Sequence, residues 1–373
     1  MDVFDELNPP ARLLLGPGPS PVHPRVMRAL GAPVLGHLDP ELLRLLDETR
    51  LLLRGVFRTS NELALAVSGT GMAGMEAVLG SLLSPGDRLV VCGAGFFGSR
   101  MAELAGRMGV EVAKVEKEWG EVFSAEEVEA AVAEAKPKAV ALVHAETSTG
   151  ALQPMDGLGE IAHRHGALLI VDCVTSLGGA PVLLDEWGAD AAYSGSQKCL
   201  GCPSGMAPVS VSALGRAAMA ARPRPAHAWY LDLDLLERYW GGDRAYHHTI
   251  SSSLVYALRE GLRLVVEEGL EARWERHRAN AEMLWDGLEA MGLSLHVKDP
   301  ARRIPPLTTV RVPEGIDEAE VRGRLRDEYG IEIGAGLGPL KGKVWRIGLM
   351  GHGSQKANVI LLLAALVDLL RRP

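Results

Sequence analysis

Two residues, Asp172 and Lys198, carry the strongest chemical signal in this chain. The apolar run Leu168-Leu169-Ile170-Val171 ends in Asp172, and Tyr193-Ser194-Gly195-Ser196-Gln197 runs into Lys198. Each run reads as a buried strand that delivers one polar group at its end. An amine free of its proton condenses with a carbonyl, and a nearby carboxylate keeps a heteroaromatic nitrogen protonated. Those two groups are the minimum that pyridoxal phosphate (PLP) chemistry needs: the lysine holds the cofactor as a Schiff base, and the acid makes the ring an electron sink. A lysine amine has an ordinary pKa of about 10.4, so burial at a strand end must lower it. Once released by substrate, the same amine can move a proton between the substrate carbon and the cofactor.

Two glycine-rich turns offer a rival chemistry. Gly69-Thr70-Gly71-Met72-Ala73-Gly74 and Gly93-Ala94-Gly95-Phe96-Phe97-Gly98 both match G-x-G-x-x-G between a strand and a helix. A dinucleotide fold wants an acid about 20 residues on. After the first turn that position falls in 89–94, which has no acid; after the second it falls near Glu116. A NAD-dependent Rossmann oxidoreductase is therefore the alternative on motif grounds. Against it, one dinucleotide needs only one such turn, Phe96 and Phe97 crowd the place where pyrophosphate would approach, and Asp172 and Lys198 stay unexplained. The first turn makes sense as a cradle for one phosphate monoester: Ser68, Thr70 and the amides of Gly71 and Met72 would sit at a helix N-terminus.

Elements that would position these groups follow from the hydrophobic pattern. Strands are expected at 63–68, 87–92, 111–116, 138–144, 167–173, 191–196 and 206–210, with helices between them. Ser124 and Glu127 form a capping box for a helix over 125–135. Near-continuous apolar strands alternating with helices predict an α/β fold, a mostly parallel sheet covered on both faces. Ligands bind such sheets outside the C-terminal strand ends, where Asp172 and Lys198 lie. Residues 222–245 read as loop, and 252–291 as one long helical stretch. Past 300, strands near 308–312, 331–334 and 344–349 alternate with helices near 317–328 and 354–371, the outline of a smaller α+β domain. The expected division is an N-terminal arm over 1–20, a large domain over 21–260 and a small C-terminal domain over 261–373.

Bulk properties narrow the function. The 373 residues are 47% hydrophobic, enough for a large core, and the net charge is −8 with no basic stripe, which argues against nucleic acid. No apolar run reaches membrane-spanning length; the longest, from Val359 to Leu370, is broken by Asp368. The start is acidic where a signal peptide would be basic, so the expected location is cytoplasmic. Cys199 and Cys202 form a C-x-x-C with no second ligand pair nearby, and they read as small loop residues. Neither a disulfide framework nor a metal site is expected. His37 and His144 read as structural.

Taken in order, Leu15-Gly-Pro-Gly-Pro-Ser20, Gly36-His-Leu-Asp-Pro40, Ser68-Gly-Thr-Gly71, Gly95-Phe-Phe-Gly98, Glu146-Thr-Ser-Thr-Gly150, Val171-Asp-Cys-Val174, Ser194-Gly-Ser-Gln-Lys198, Tyr246-His-His-Thr249 and Trp345-Arg346-Ile-Gly resemble the class V PLP-dependent aminotransferases, in the alanine/serine–glyoxylate branch. The resemblance spans about residues 13 to 370. It implies PLP fold type I: a large PLP domain, a small C-terminal domain, and a homodimer with shared active sites. It also implies roles. Lys198 would hold the cofactor and Asp172 would pair with its pyridine N–H. Phe97 would stack on one ring face and Val174 on the other. Thr147 would hydrogen-bond the ring hydroxyl oxygen. Thr70, Gly71, Met72 and Gln197 would hold the phosphate, with Tyr246 and Thr249 from a partner subunit. Arg346 would clamp the substrate carboxylate. Met72 departs from the histidine of some relatives, at little cost where only its backbone N–H is used. The implied reaction moves an amino group from serine or alanine to glyoxylate or pyruvate. A ureidoglycine-type glyoxylate aminotransferase is the nearest alternative. A desulfurase would need a cysteine well after the lysine, and none follows Cys202.

Overall fold

The structure is a computed structural model and describes residues 6–371. Its centre is a seven-stranded sheet in the spatial order Leu63–Ser68, Met206–Val211, Ala191–Tyr193, Leu168–Asp172, Ala139–Val143, Arg88–Gly93, Glu111–Glu116. All neighbours pair in parallel except Met206–Val211, which runs antiparallel to both of its neighbours. The central strands are mostly apolar and buried along most of their length, as a sheet covered on both faces requires. Helices Gly71–Leu82, Phe96–Arg107 and Ala125–Ala135 connect them, and the last carries the expected capping box of Ser124 and Glu127.

A second sheet pairs Leu307–Arg311 and Gly334–Ala335 antiparallel with Val344–Gly348. It packs with helices Leu270–Ala290, Glu318–Tyr329 and Lys356–Arg371 around a separate core that includes Trp345, Ile347, Leu284 and Leu362. The fold is α/β with a mostly parallel sheet flanked by helices, and this smaller α+β unit beside it.

Three local expectations need correction. The N-terminal arm, where no element is expected, holds one: Leu13–Leu14 pairs in parallel with Ile331–Glu332, and Leu15 belongs to the second core. A two-residue edge strand leaves too short a pattern to read. The stretch 222–245 contains a 3₁₀ turn at Trp229–Leu231 and a helix at Leu233–Trp240. Asp232 caps that helix by accepting from the Asp234 N–H at 3.0 Å, and Leu233, Leu236, Tyr239 and Trp240 bury one face. The prolines just before it hid the helical period. Finally, the long stretch 252–291 is two helices, Ser252–Glu268 and Leu270–Ala290, broken at Gly269 with φ +83°. Among the described residues, no helix is long and apolar enough to cross a membrane.

Candidate active site

Asp172 ends its strand and Lys198 follows Tyr193 by five residues, so both reach the C-terminal edge of the sheet. A cavity of about 120 Å³ opens there, lined among others by Thr70, Gly71, Met72, Phe97, Thr147, Asp172, Val174, Gln197 and Lys198. Two larger clefts, of about 380 and 440 Å³, hold neither Asp172 nor Lys198, although the first shares Met72 with this cavity. Met75, Val143, Ala145 and Thr175 also line the site, and nothing in the sequence singled them out.

The loop bearing Lys198 is held rigidly. Ser194 Oγ donates to the Cys173 carbonyl at 3.0 Å, and Ser196 Oγ donates to the Pro203 carbonyl at 2.6 Å. The N-terminal arm then straps across it. Ser20 N–H donates to the Gln197 carbonyl at 2.9 Å, Ser20 Oγ donates to the Lys198 carbonyl at 2.6 Å, and the Lys198 ammonium donates to the Pro17 carbonyl. Burial, with the Arg346 charge adding to it, pushes the Lys198 amine down to about 8. That places the nucleophilic free amine within reach of neutral pH.

Asp172 is buried and accepts from the Val174 N–H at 2.8 Å and the Tyr193 hydroxyl at 2.9 Å. Burial pushes its carboxyl up to about 7 against those two donors. No cation pairs with it among the described residues, so the site lacks the positive charge that a protonated ring nitrogen would bring.

The turn expected to cradle a phosphate falls at the N-terminus of helix Gly71–Leu82. Thr70 occupies the cap position without a side-chain cap bond, and the N–H groups of Gly71 and Met72 have no acceptor among the described residues. A side chain at position 71 would meet Val174 Cγ2 at 2.8 Å, so glycine keeps the two walls close. Gln197 Oε1 is buried with no partner.

Arg346, on strand Val344–Gly348, is buried and donates through Nε to the Ala335 carbonyl at 2.6 Å and through Nη1 to the Thr147 carbonyl at 3.2 Å. Burial lowers its pKa to about 10. Among the described residues, no acid pairs with it and nothing accepts from Nη2.

Glu146 is the residue whose part went unread. It is buried, and each carboxylate oxygen accepts twice: Oε2 from the Phe97 and Gly98 N–H groups at 3.0 and 3.3 Å, Oε1 from Ser148 N–H and Oγ at 3.0 and 2.6 Å. A remote carboxylate thus caps helix Phe96–Arg107 and ties Phe97 to Ser148, the residue after Thr147. The fold also shows why position 95 is glycine: a Cβ there would fall 2.3 Å from Glu146 Cγ.

Tyr246 and Thr249 do not enter this cavity. Tyr246 is 59% exposed, and its hydroxyl lies 3.4 Å from Thr249 Oγ1 on the surface. His144 is buried against Trp187, with its pKa lowered to about 3 by burial, and His37 packs on Tyr246. Cys199 and Cys202 are free and buried, their thiols pushed up to about 12 by burial. Among the described residues, no cluster of ligating side chains could hold a metal.

Residues 23–347 match the class-V aminotransferases. The chain belongs to this family. It is 44% identical to the (S)-ureidoglycine–glyoxylate transaminase of Bacillus subtilis, over 98% of this chain and 92% of that protein. It is 45% identical to the alanine–glyoxylate aminotransferase of Callithrix jacchus, over 98% of this chain and 89% of that protein. A crystal structure of alanine–glyoxylate aminotransferase from Nostoc sp. superposes with a TM-score of 0.97 at 51% identity, covering 99% and 98% of the two chains. This class-V aminotransferase is an enzyme of transamination with PLP as its cofactor, on PLP fold type I. The residues present fit that group: free amides and an unpartnered amide side chain at the cradle, an uncompensated acid, and a buried amine of lowered pKa. The two glycine turns therefore serve helix starts within an aminotransferase, and the oxidoreductase reading falls.

Proposed function

We propose that this class-V aminotransferase moves the amino group of a small neutral amino acid, serine or alanine, to glyoxylate or pyruvate. The observation that carries this is the cation count at the cavity. Among the described residues, Lys198 is the one cation that lines the cavity; Arg346 stands beside it, holding the Thr147 carbonyl and acting on the Lys198 charge, and no further cation is placed to meet a side-chain carboxylate. One guanidinium matches one α-carboxylate, through a planar fork that lysine does not offer. The likeness to the Nostoc and Callithrix enzymes points the same way.

When bound, PLP supplies an electron sink conjugated to the substrate amine. The protein's own residues do the rest. Arg346 orients the substrate by its carboxylate. Lys198, the residue that anchors the cofactor, holds and returns the proton at the substrate Cα. Asp172 keeps a positive charge on the ring nitrogen, helped by the Tyr193 and Val174 donors that fix its oxygens. Phe97 and Val174 would confine the ring between them, and Thr147 would meet its hydroxyl oxygen. Thr70, Gly71, Met72 and Gln197 would bind the phosphate. The arm over Pro17–Ser20 shields the amine from water.

The working form on this reading is a homodimer, in which Tyr246 and Thr249 complete the partner's phosphate site. Their exposure, with that of Trp229 and Tyr230 close by, supports it. The four free cysteines support a cytoplasmic location.

The test is a donor panel with PLP-loaded enzyme and glyoxylate, following glycine. Turnover with serine or alanine is expected. Activity with (S)-ureidoglycine alone would select the second reading, which the Bacillus relative supports. Sedimentation of the loaded enzyme tests the dimer.

A further inference from the structure

A chain of hydrogen bonds runs from the base of the phosphate cradle to the surface; it takes up the Ser68 hydroxyl, which the sequence offered to the phosphate, and its two histidines have no role above. Ser68 Oγ lies 2.7 Å from His248 Nε2, and His248 Nδ1 lies 2.9 Å from His247 Nδ1. His247 Nε2 lies 3.2 Å from the Trp229 carbonyl oxygen, and its ring stacks on the Trp229 indole at 4.2 Å. Both histidines are buried.

This geometry fixes every proton in the chain. A carbonyl only accepts, so His247 Nε2 carries hydrogen. Two Nδ1 atoms 2.9 Å apart cannot both carry one. With neutral rings, His247 Nδ1 accepts, His248 Nδ1 donates, His248 Nε2 accepts, and the Ser68 hydroxyl donates. The groups facing His248 are Ser68, His247, Tyr230 and Tyr239, none of them an acid. Burial and the His247 neighbour push its pKa down to about 4, so the ring is neutral across the working range.

We propose that His248 is a positioning residue for the phosphate end of the cofactor site. It acts in two directions at once. Through Ser68 it pins the end of strand Leu63–Ser68, two residues before Thr70 and the free amides of Gly71 and Met72. Through its own backbone it sets the segment 246–249, and so the paired hydroxyls of Tyr246 and Thr249. The inference rests on reading Thr70–Met72 as the phosphate cradle.

The experiment titrates apoprotein with PLP and, separately, with pyridoxal, which lacks the phosphate. Wild type, Ser68→Ala, His248→Phe and the double variant are compared by equilibrium binding. The PLP dissociation constant is expected to rise about tenfold in Ser68→Ala, or about 1.4 kcal/mol, and by more in His248→Phe, which also frees segment 246–249. The double variant is expected to match His248→Phe, because Ser68 acts only through that ring. Pyridoxal affinity is expected to stay unchanged, which also shows that the site is folded. Equal losses for PLP and pyridoxal, an unchanged PLP constant, or an additive double variant would each overturn the proposal. Failure of the cradle reading looks different: wild type would then bind PLP no better than pyridoxal.

Discussion

Replacing Glu146 with glutamine leaves one acceptor oxygen where the carboxylate has two, each taking two hydrogens. The best arrangement keeps that oxygen on the Phe97 and Gly98 amides and turns the new NH₂ group towards Ser148. The Ser148 hydroxyl already accepts from the Phe96 N–H at 2.9 Å and can turn to accept again. The Ser148 backbone N–H cannot, and it is left buried without a partner. Losing one bond to a charged acceptor and orphaning its donor costs about 3 kcal/mol. The strain falls on residues 147–148, and the Thr147 carbonyl is what Arg346 Nη1 holds at 3.2 Å. If about half of it is relieved by loosening Arg346, KM for the amino acid rises about tenfold with little change in kcat. Steady-state assays at saturating glyoxylate read that split. Loss of the negative charge should also lower the Lys198 amine further, since Glu146 is one of the charges that raise it. A Glu146→Gln enzyme with wild-type KM and wild-type denaturant midpoint would refute the role given to this carboxylate.

Other outcomes follow from the same geometry. Lys198→Ala should leave no cofactor fixed to the protein by borohydride, as mass spectrometry of the digest would show, and should cut turnover by about 10³-fold or more. Capture of PLP by apoprotein should quicken as pH rises, with a midpoint near 8, because the free amine attacks; in Arg346→Gln the midpoint should move up, since the Arg346 charge helps hold it down. The same lowered pKa means that the folded state binds fewer protons at Lys198 than the unfolded chain, so apoprotein stability should rise between pH 8 and about 10.4, measured by denaturant midpoints. Arg346→Lys should raise KM for the donor by about 10- to 100-fold, because a point charge replaces a two-point fork.

Most of the large sheet was legible in the sequence, because buried parallel strands are continuous apolar runs and each ends in a turn that glycine marks. That Asp172, Lys198 and Thr70–Met72 meet at one cavity was legible for the same reason: they sit where such runs stop. Glu146 was not, since its partners are backbone amides about fifty residues earlier, and only the fold reveals that Gly95 makes room for it. Helix Leu233–Trp240 escaped because its apolar face has only two turns behind a proline-rich approach.

The arm shows most clearly what a linear reading misses, and it explains how the site is assembled. Leu13–Leu14 pairs beside Ile331, Leu15 packs in the second core, and the Gly348 N–H donates to the Leu15 carbonyl at 2.8 Å. A few residues on, Pro17 and Ser20 hold Lys198 in the first. Arg346 makes the reverse crossing, from the second sheet to the Thr147 carbonyl of the first unit. The amine and the guanidinium are therefore both set by how the two cores meet, and each is one hydrogen bond from the seam. A substitution inside the second core, such as Ile347→Ala, removes buried volume that touches no substrate. It should nonetheless raise KM and the Lys198 pKa together, because it loosens Arg346 and the arm in one stroke.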